Sequence, residues 1–338
     1  MSESYRSTDL KILNKRLILK TIFLKTETTR KELADITKLS NSSVTRIITE
    51  LIDEGYILKK NKINESRYGR KSEILTVNKE KLKVFIVDID VKTTLFGFGR
   101  FDGTVEILKT IPTPETFYEF KESVDKFIKL FNYNFNYITF SIPGIVDLNN
   151  KIIINTPNLN WERIFYEEIG FEKLLIDNDS NLSILAEKTF SEDMEDTKNA
   201  AFILIKDGIG TGLLLDGKIY RGVDFGAGEI GHNIIRESKK IKSFESSIDF
   251  ENNVEKSLEA IALNISYAVN LMNFEKIIIG GKIINLPTEN FRFLEKKIRE
   301  YTFSNNKNLD IRITNFNYVP ASMVGACSNA VLNFIDNV

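Results

Sequence analysis

The sequence predicts an α/β protein in two parts: a small head of three helices closed by a β-hairpin, and a larger body in which strands and helices alternate. Three observations lead there. Residues 1–83 carry 19 Lys and Arg against 11 Asp and Glu, whereas the remainder carries 27 against 36, so a nearly neutral chain of 338 residues conceals a basic head on an acidic body. Within the head, two short helical patterns each follow a hydroxyl residue suited to capping, and two β-prone runs flank a basic turn. From Lys83 onward, short apolar runs separated by turns and amphipathic stretches give the texture of an α/β layout. The length allows two or three domains, and the change of texture divides the chain at about 1–80 and 83–338.

In the head, Leu10, Leu13 and Leu17 recur at three- and four-residue spacing, with Ile18 and Ile22 widening the stripe, which predicts an amphipathic first helix. Thr29 is placed to cap a second helix over Arg30 to Thr37, with Leu33 and Ile36 facing inward. Ser40 is placed to cap a third helix that runs to about Glu54 and ends at Gly55. On that helix Val44, Ile47, Ile48 and Leu51 form one face, and Ser42, Arg46 and Thr49 project from the other with Thr45 at its margin. Short hydroxyl side chains and one arginine suit a major groove, because they approach closely and hydrogen-bond base edges or phosphates. Strands at Tyr56–Lys60 and Glu73–Val77 around a basic turn make a wing, in which Lys59, Lys60, Lys62, Arg67, Arg70 and Lys71 supply phosphate contacts. The plainer alternative is a helical dimerisation module with solvated charges. The charge excess, the caps and the basic hairpin occurring together favour DNA.

Composition removes several classes. Cys327 stands alone and His232 is the only histidine, so neither a disulfide framework nor a four-ligand Cys/His zinc site can be assembled within one chain. Met1 to Leu10 is polar, without the apolar stretch of a signal peptide, and no apolar run is long enough to span a membrane. The expectation is a cytoplasmic protein with no cofactor and no bound metal.

In the body, Val84–Asp88 reads as a strand with Thr94–Phe101 as its hairpin partner, and Phe117–Phe131 as a helix. Strands follow at Tyr137–Ile142, Leu174–Ile176, Ala201–Ile205 and Lys276–Gly281, with a long apolar helix over Leu258–Met272. Ligands in such sheets bind at the carboxyl ends of strands. That singles out Asp177-Asn-Asp-Ser-Asn181, whose carboxylates and amides can pair with vicinal hydroxyls. A second string, Gly226-Ala-Gly-Glu-Ile-Gly-His232, places an acid and an imidazole three residues apart on flexible backbone, though a plain surface loop would read the same. Trp161 is the type of residue that more often anchors a core than stacks on a ligand.

These strings, in this order, resemble the ROK family of repressors, uncharacterised reading frames and sugar kinases. The head, with Gly69-Arg70 at the end of its wing, resembles the winged helix-turn-helix of the repressor branch. The body resembles an actin-like, two-lobed sugar-kinase fold through Pro143-Gly-Ile-Val-Asp147, Asn158-Leu-Asn-Trp161, Asp177–Asn181 with Glu187, Gly208–Gly212, Gly226–His232 and Gly280-Gly281. The resemblance implies a small lobe over about 83–178 plus the C-terminal end, and a large lobe over about 179–319. It further implies that Asn178, Asp179, Glu229 and His232 hold a sugar, with Asp179 at the place of the kinase's general base and Glu245, after Phe244, as a further sugar ligand.

Three departures bear on activity. The family kinase opens with Asp-x-Gly-Gly-Thr, where this chain has Asp88-Ile-Asp90-Val91-Lys92. Its second phosphate loop is Gly-Thr-Gly, where this chain has Lys206-Asp207-Gly208. Asp90 and Asp207 therefore bring negative charge to places that receive phosphate. The cysteine cluster that follows Gly-His in the family is missing, and only 47 residues separate His232 from Gly280. The reading is a non-enzymatic transcriptional repressor, a homodimer or tetramer that binds a double-stranded DNA operator under control of a sugar or sugar phosphate. An ATP-dependent sugar kinase with a DNA-binding head, and a repressor that has lost its ligand, are the alternatives.

Overall fold

The structure, a computed structural model, describes residues 7–60, 73–131, 134–237, 240–303 and 308–338. The head comprises helices α1 (Ser7–Lys25), α2 (Arg30–Thr37) and α3 (Asn41–Asp53), followed by strands β1 (Ile57–Lys60) and β2 (Ile74–Val77). Local chemistry sets these boundaries. Thr29 accepts from the Glu32 amide while Glu32 accepts from the Thr29 amide, a capping box that starts α2. Ser40 accepts from the Ser43 amide to start α3, and Gly55, at φ +75°, turns the chain out of it. The strands pair antiparallel from Ile57 opposite Val77 to Lys60 opposite Ile74. Lys62, Arg67 and Arg70-Lys71, assigned to the wing turn, lie outside the described residues.

The α1 expectation needs correction. Its buried face is Ile18, Leu19, Ile22 and Phe23, whereas Leu10, Leu13 and Leu17 are exposed, as is Ile36 on α2. The helix is apolar on several sides, so spacing alone could not choose the face that packs. Val44, Ile47, Ile48 and Leu51 of α3 are buried as their spacing predicts.

The body holds two five-stranded sheets. The first, in order β10-β6-β3-β4-β5, consists of β3 (Lys83–Ile89), β4 (Thr93–Arg100), β5 (Val105–Pro112), β6 (Tyr137–Ile142) and β10 (Leu174–Asn178), with α4 (Phe117–Ile128) on one face. β3 runs parallel to β6 and antiparallel to β4. A small antiparallel sheet of β7 (Ile145–Asp147), β8 (Ile152–Thr156) and β9 (Trp161–Phe165) lies before the short helix α5 (Tyr166–Ile169). Trp161 is buried there against Phe117 and Phe120, in the core.

Helix α6 (Asp179–Phe190) begins where β10 ends and leads to the second sheet, ordered β13-β12-β11-β16-β17. Its strands are β11 (Ala200–Ile205), β12 (Ile209–Leu215), β13 (Lys218–Tyr220), β16 (Lys276–Gly281) and β17 (Asp310–Ile313), packed against α7 (Val254–Met272) and α8 (Thr288–Tyr301). A hairpin of β14 (Ile234–Glu237) and β15 (Lys240–Ser243) stands apart. The last helix, α9 (Ala321–Asp336), returns to pack on α6 and β3.

One hydrophobic core runs without a break from the head into the body, joining Ile18, Leu19, Ile22, Leu51 and Leu75 to Val84, Leu182, Met323, Val331 and Ile335. Aromatic contacts mark the seam: Phe23 of α1 meets Phe190 at the end of α6 edge-on at 5.7 Å, and Tyr56 meets Phe334 of α9 at 5.9 Å. Lys25 of α1 also pairs with Glu195 at 2.7 Å, just beyond α6. The head thus rests on both α6 and α9.

Candidate functional site

Two regions gather the residues singled out from sequence. On the head, Ser42, Thr45, Arg46 and Thr49 are all exposed on one side of α3, opposite its buried face. Lys60 is exposed at the end of β1, with its ammonium 2.8 Å from Glu27. Glu73 similarly takes up Arg30 and Lys59, so part of the positive charge counted from composition is matched within the head.

In the body, the carboxyl ends of β10, β3 and β11 converge on a cavity of about 50 Å³. Asn178, Asp179, Glu229, His232 and Glu245 all line it, together with Asp90, Asn158 and Lys206. The N-terminus of α6 sits at its edge, and Asn178 caps it by accepting from the amides of Ser180 and Asn181. Its side-chain nitrogen donates to the carbonyl of Gly144 at 3.0 Å, which leaves one amide hydrogen for another partner. Across from it, Arg221, just past β13, binds the Asp177 carboxylate and braces the same turn from the second sheet.

Glycine builds this corner by packing rather than by holding phosphate. A Cβ on Gly212 would lie 2.1 Å from the carbonyl oxygen of Ser180, so only glycine lets β12 approach the first turn of α6. Gly228, at φ +95° and against the Thr211 carbonyl, lets the Gly226–His232 segment fold over the cavity. The hairpin β14–β15 then returns the chain, closed by the Phe244 amide on the Asn233 carbonyl, and so brings Glu245 beside His232. Glu245 accepts from the Ile209 amide at 3.2 Å, and Glu229 lies 3.8 Å from the His232 Nε2.

Among the described residues no cluster of three or more His, Cys, Asp or Glu could hold a metal. Cys327 is buried in α9 against Gly99. Where the sequence lacks the cysteine cluster that follows Gly-His in the family, the chain continues into the β14–β15 hairpin.

Lys206 and Arg221 are the site residues that sequence reasoning missed. Lys206 follows β11 directly, and its ammonium lies 3.2 Å from Asp179 Oδ2 and 3.8 Å from Asp88 Oδ2. Burial alone would make the lysine less basic, but Asp88, Asp179 and Asp90 overcome it and hold the ammonium charged well above the usual lysine range. Burial pushes the Asp179 carboxyl up to about 6, with Lys206 opposing and Asp88 and Asp90 adding to the rise. Glu229 is raised as well, by burial first and then by Asp179 and Glu245 against His232. A lysine directly after an apolar strand and before a glycine was the available signal. Its carboxylate partners, 27 and 118 residues away along the chain, were not.

The charge at the two altered phosphate loops is also more balanced than the sequence suggested. Asp207 is bound by Lys282 at 2.7 Å and faces Lys92 at 3.5 Å, so its carboxyl is held below the usual range despite partial burial. At that loop two ammonium groups face one carboxylate, so Asp207 is not the bare negative charge that the sequence suggests.

Comparison with known proteins bears on the fold and on family likeness. Residues 87–243 match the ROK family, and residues 6–57 match the winged helix-turn-helix DNA-binding family. The chain is 29% identical over 249 residues to the xylose repressor of Caldicellulosiruptor bescii, a match covering 68% of this chain and 60% of that protein. The matched stretch thus spans about three fifths of the length of that relative. Among solved structures, a ROK family transcriptional regulator described as a homolog of the E. coli Mlc protein superposes with a TM-score of 0.77 at 20% identity, covering 97% of this chain and 98% of that one. A ROK family glucokinase from Streptomyces griseus, in complex with glucose and AMPPNP, superposes with a TM-score of 0.64 at 14% identity over 73% of this chain and 98% of its own. The fold is a winged helix-turn-helix joined to a two-lobed sugar-kinase-like body.

Proposed function

The chain carries a ROK family domain behind a winged helix-turn-helix head, and from that premise we propose that it is a sugar-responsive, DNA-binding transcriptional repressor and not an enzyme. The carrying observation is mechanical. α6 starts at the cavity with Asn178 and Asp179 and ends with Phe190 against Phe23 of the head. A helix of 12 residues is about 18 Å long and moves as a rigid rod. A cavity of about 50 Å³ has room for a few water molecules, far less than a monosaccharide ring. A sugar therefore enters by parting the two sheets, and α6, which starts at the cavity and ends against the head, carries that movement to the head. The ligand has to prefer the parted arrangement by about 1–3 kcal/mol to regulate in the ordinary allosteric range.

In this reading Ser42, Thr45, Arg46 and Thr49 meet the major groove, while Lys60, Arg67, Arg70 and Lys71 meet phosphate. Asn178, Asp179, Glu229, His232 and Glu245 hold the sugar or sugar phosphate. The protein works in the cytoplasm as a homodimer or tetramer whose two heads take the half-sites of an operator. The exposed leucines Leu10, Leu13 and Leu17 of α1 are apolar surface that such an assembly would cover. The name of the Caldicellulosiruptor relative makes a pentose the first effector to try.

The test is a titration of the protein onto its own upstream DNA at fixed salt, with and without a panel of sugars and sugar phosphates. Binding that one sugar weakens is the expected result. Specific binding that no sugar alters would leave a DNA-binding protein without its effector, and no specific binding would remove the proposal altogether. Kinase activity is opposed by Lys206, which already occupies the Asp179 carboxylate. Consistent with that, ATP with magnesium is expected to leave the Tm unchanged.

A further inference from the structure

The sugar cavity has a neighbour. On the other side of Asp90, Leu204 and Lys206 lies a larger cleft of about 380 Å³, bordered by Ser183, Lys282, Thr314 and Phe316. Lys206 lines both spaces, and it reaches across the wall between them to Asp179 and Asp88. Phosphoryl transfer needs the opposite arrangement: a base open toward the acceptor hydroxyl, and an unobstructed line from that hydroxyl to the donor phosphate. Here the Lys206 side chain, 16% exposed, stands between the two spaces with its ammonium on the Asp179 carboxylate.

Charge points the same way. Asp88, Asp90, Asp179, Glu229 and Glu245 surround the sugar cavity and its wall, against the single ammonium of Lys206. Lys206 is committed to two of these carboxylates, and Lys282, on the neighbouring cleft, and Lys92 face Asp207. A phosphate brought into the cavity would meet surplus carboxylate in a poorly solvated space, where like charges repel strongly.

Resting on the proposed sugar-binding role of this cavity, we infer that Lys206 is its specificity-determining residue: it positions the Asp179 carboxylate, closes the wall toward the neighbouring cleft, and restricts the site to unphosphorylated sugars. Lys206 acts through Asp179 on hydroxyl recognition and directly on the shape of the wall. Ion pairing for fold stability alone would leave ligand choice and its pH dependence untouched.

Calorimetric binding to the full-length protein tests this. The probes are D-xylose, D-glucose and N-acetyl-D-glucosamine, each free and with its terminal hydroxyl phosphorylated, at pH values from 5 to 8. In the wild-type protein the preferred free sugar should bind at least tenfold more tightly than its phosphorylated form. Lys206→Met should weaken the free sugar by tenfold or more. It should also move the pH midpoint of binding upward, because the buried Asp179 carboxylate would then face Asp88 and Asp90 without its cation. Lys206→Arg, which restores the charge, should return the midpoint toward its wild-type place.

A wild-type protein that binds the phosphorylated sugar as well as the free one overturns the inference while leaving the sugar-binding role standing. So does a Lys206→Met protein with unchanged affinity and midpoint. Should Lys206→Met not fold by circular dichroism, the wild-type preference for free over phosphorylated sugar decides alone. A wild-type protein that binds no member of the panel removes the sugar-binding role and the inference with it.

Discussion

The head and the cleft solve opposite problems with opposite materials. The recognition side of α3 keeps Ser42, Thr45, Arg46 and Thr49 in solvent over a wholly apolar buried face, and its ends are secured by bonds between residues two to four apart. The cleft instead places carboxylates and an ammonium out of water and secures them by pairs that join distant segments, Lys206 with Asp88 and Asp179 and Arg221 with Asp177, and the body repeats the device between α6 and β17, where Arg312 binds Glu187 and Asp193. The lesson concerns vulnerability. Removing one exposed side chain from the head costs a contact, whereas removing one buried partner from the cleft leaves a charge stranded.

The largest expected effect follows from that asymmetry. Glu187 is fully buried on α6 and accepts from Arg312, Thr314, Asn315 and Ser191, which clamps the helix to β17 and the turn after it. Glu187→Ala should cost about 3–5 kcal/mol in denaturant unfolding, since the Thr314 hydroxyl and the Asn315 amide lose their buried acceptor and Arg312 is left with Asp193 alone. A loss near that of a surface pair would mean the clamp carries little of the body's stability.

A crossed pair of variants comes next. Arg46→Ala should weaken operator binding by about 1–3 kcal/mol without altering sugar binding, as removal of a base or phosphate contact does. Asp179→Ala should abolish the sugar response and leave DNA affinity intact. If either variant disturbs both readouts equally, head and cleft are not separable in the way their materials suggest.

Smaller still is Thr29→Ala. It deletes half of the α2 capping box and should cost about 1 kcal/mol of stability by thermal unfolding, with little change in the cleft.

The smallest effect is pH. With its folded carboxyl raised to about 6, Asp179 holds more protons in the folded protein than in the unfolded chain at pH values between the ordinary aspartate value and 6. Its contribution to stability therefore declines as pH rises through that window and is constant above it. Sugar affinity should move the other way, falling roughly fourfold between pH 7.5 and 5.5 as the carboxylate is protonated. DNA binding through Arg46 should show no such step. A flat sugar profile would mean that Asp179 does not bind as the anion.

What could be read from the chain tracks the distance over which each feature is made. The boundaries of α2 and α3 were legible because Thr29, Ser40 and Gly55 act on backbone groups within a few residues. The cluster at Asn178 and Asp179 was legible because β10 runs directly into α6. Glu245 is brought to the same cavity as His232 by a short hairpin, so a ligand that only the resemblance implied lines it as well. α1 was misread because apolar residues on several of its sides offered more than one plausible stripe. Packing against α9 and β2 selected Ile18, Leu19, Ile22 and Phe23.

By itself, then, the sequence determined the two-part α/β organisation, the capped helices of the head and the identity of most residues around the cavity, because caps, periodicity and strand ends are local instructions to the backbone. Only the tertiary structure decided which face of α1 is buried, that α6 joins the cavity to the head, and that Lys206 pairs with Asp88 and Asp179 across the wall of the cleft. Those outcomes depend on which surfaces and charges from distant parts of the chain are brought together and desolvated, and no short window of sequence contains both partners.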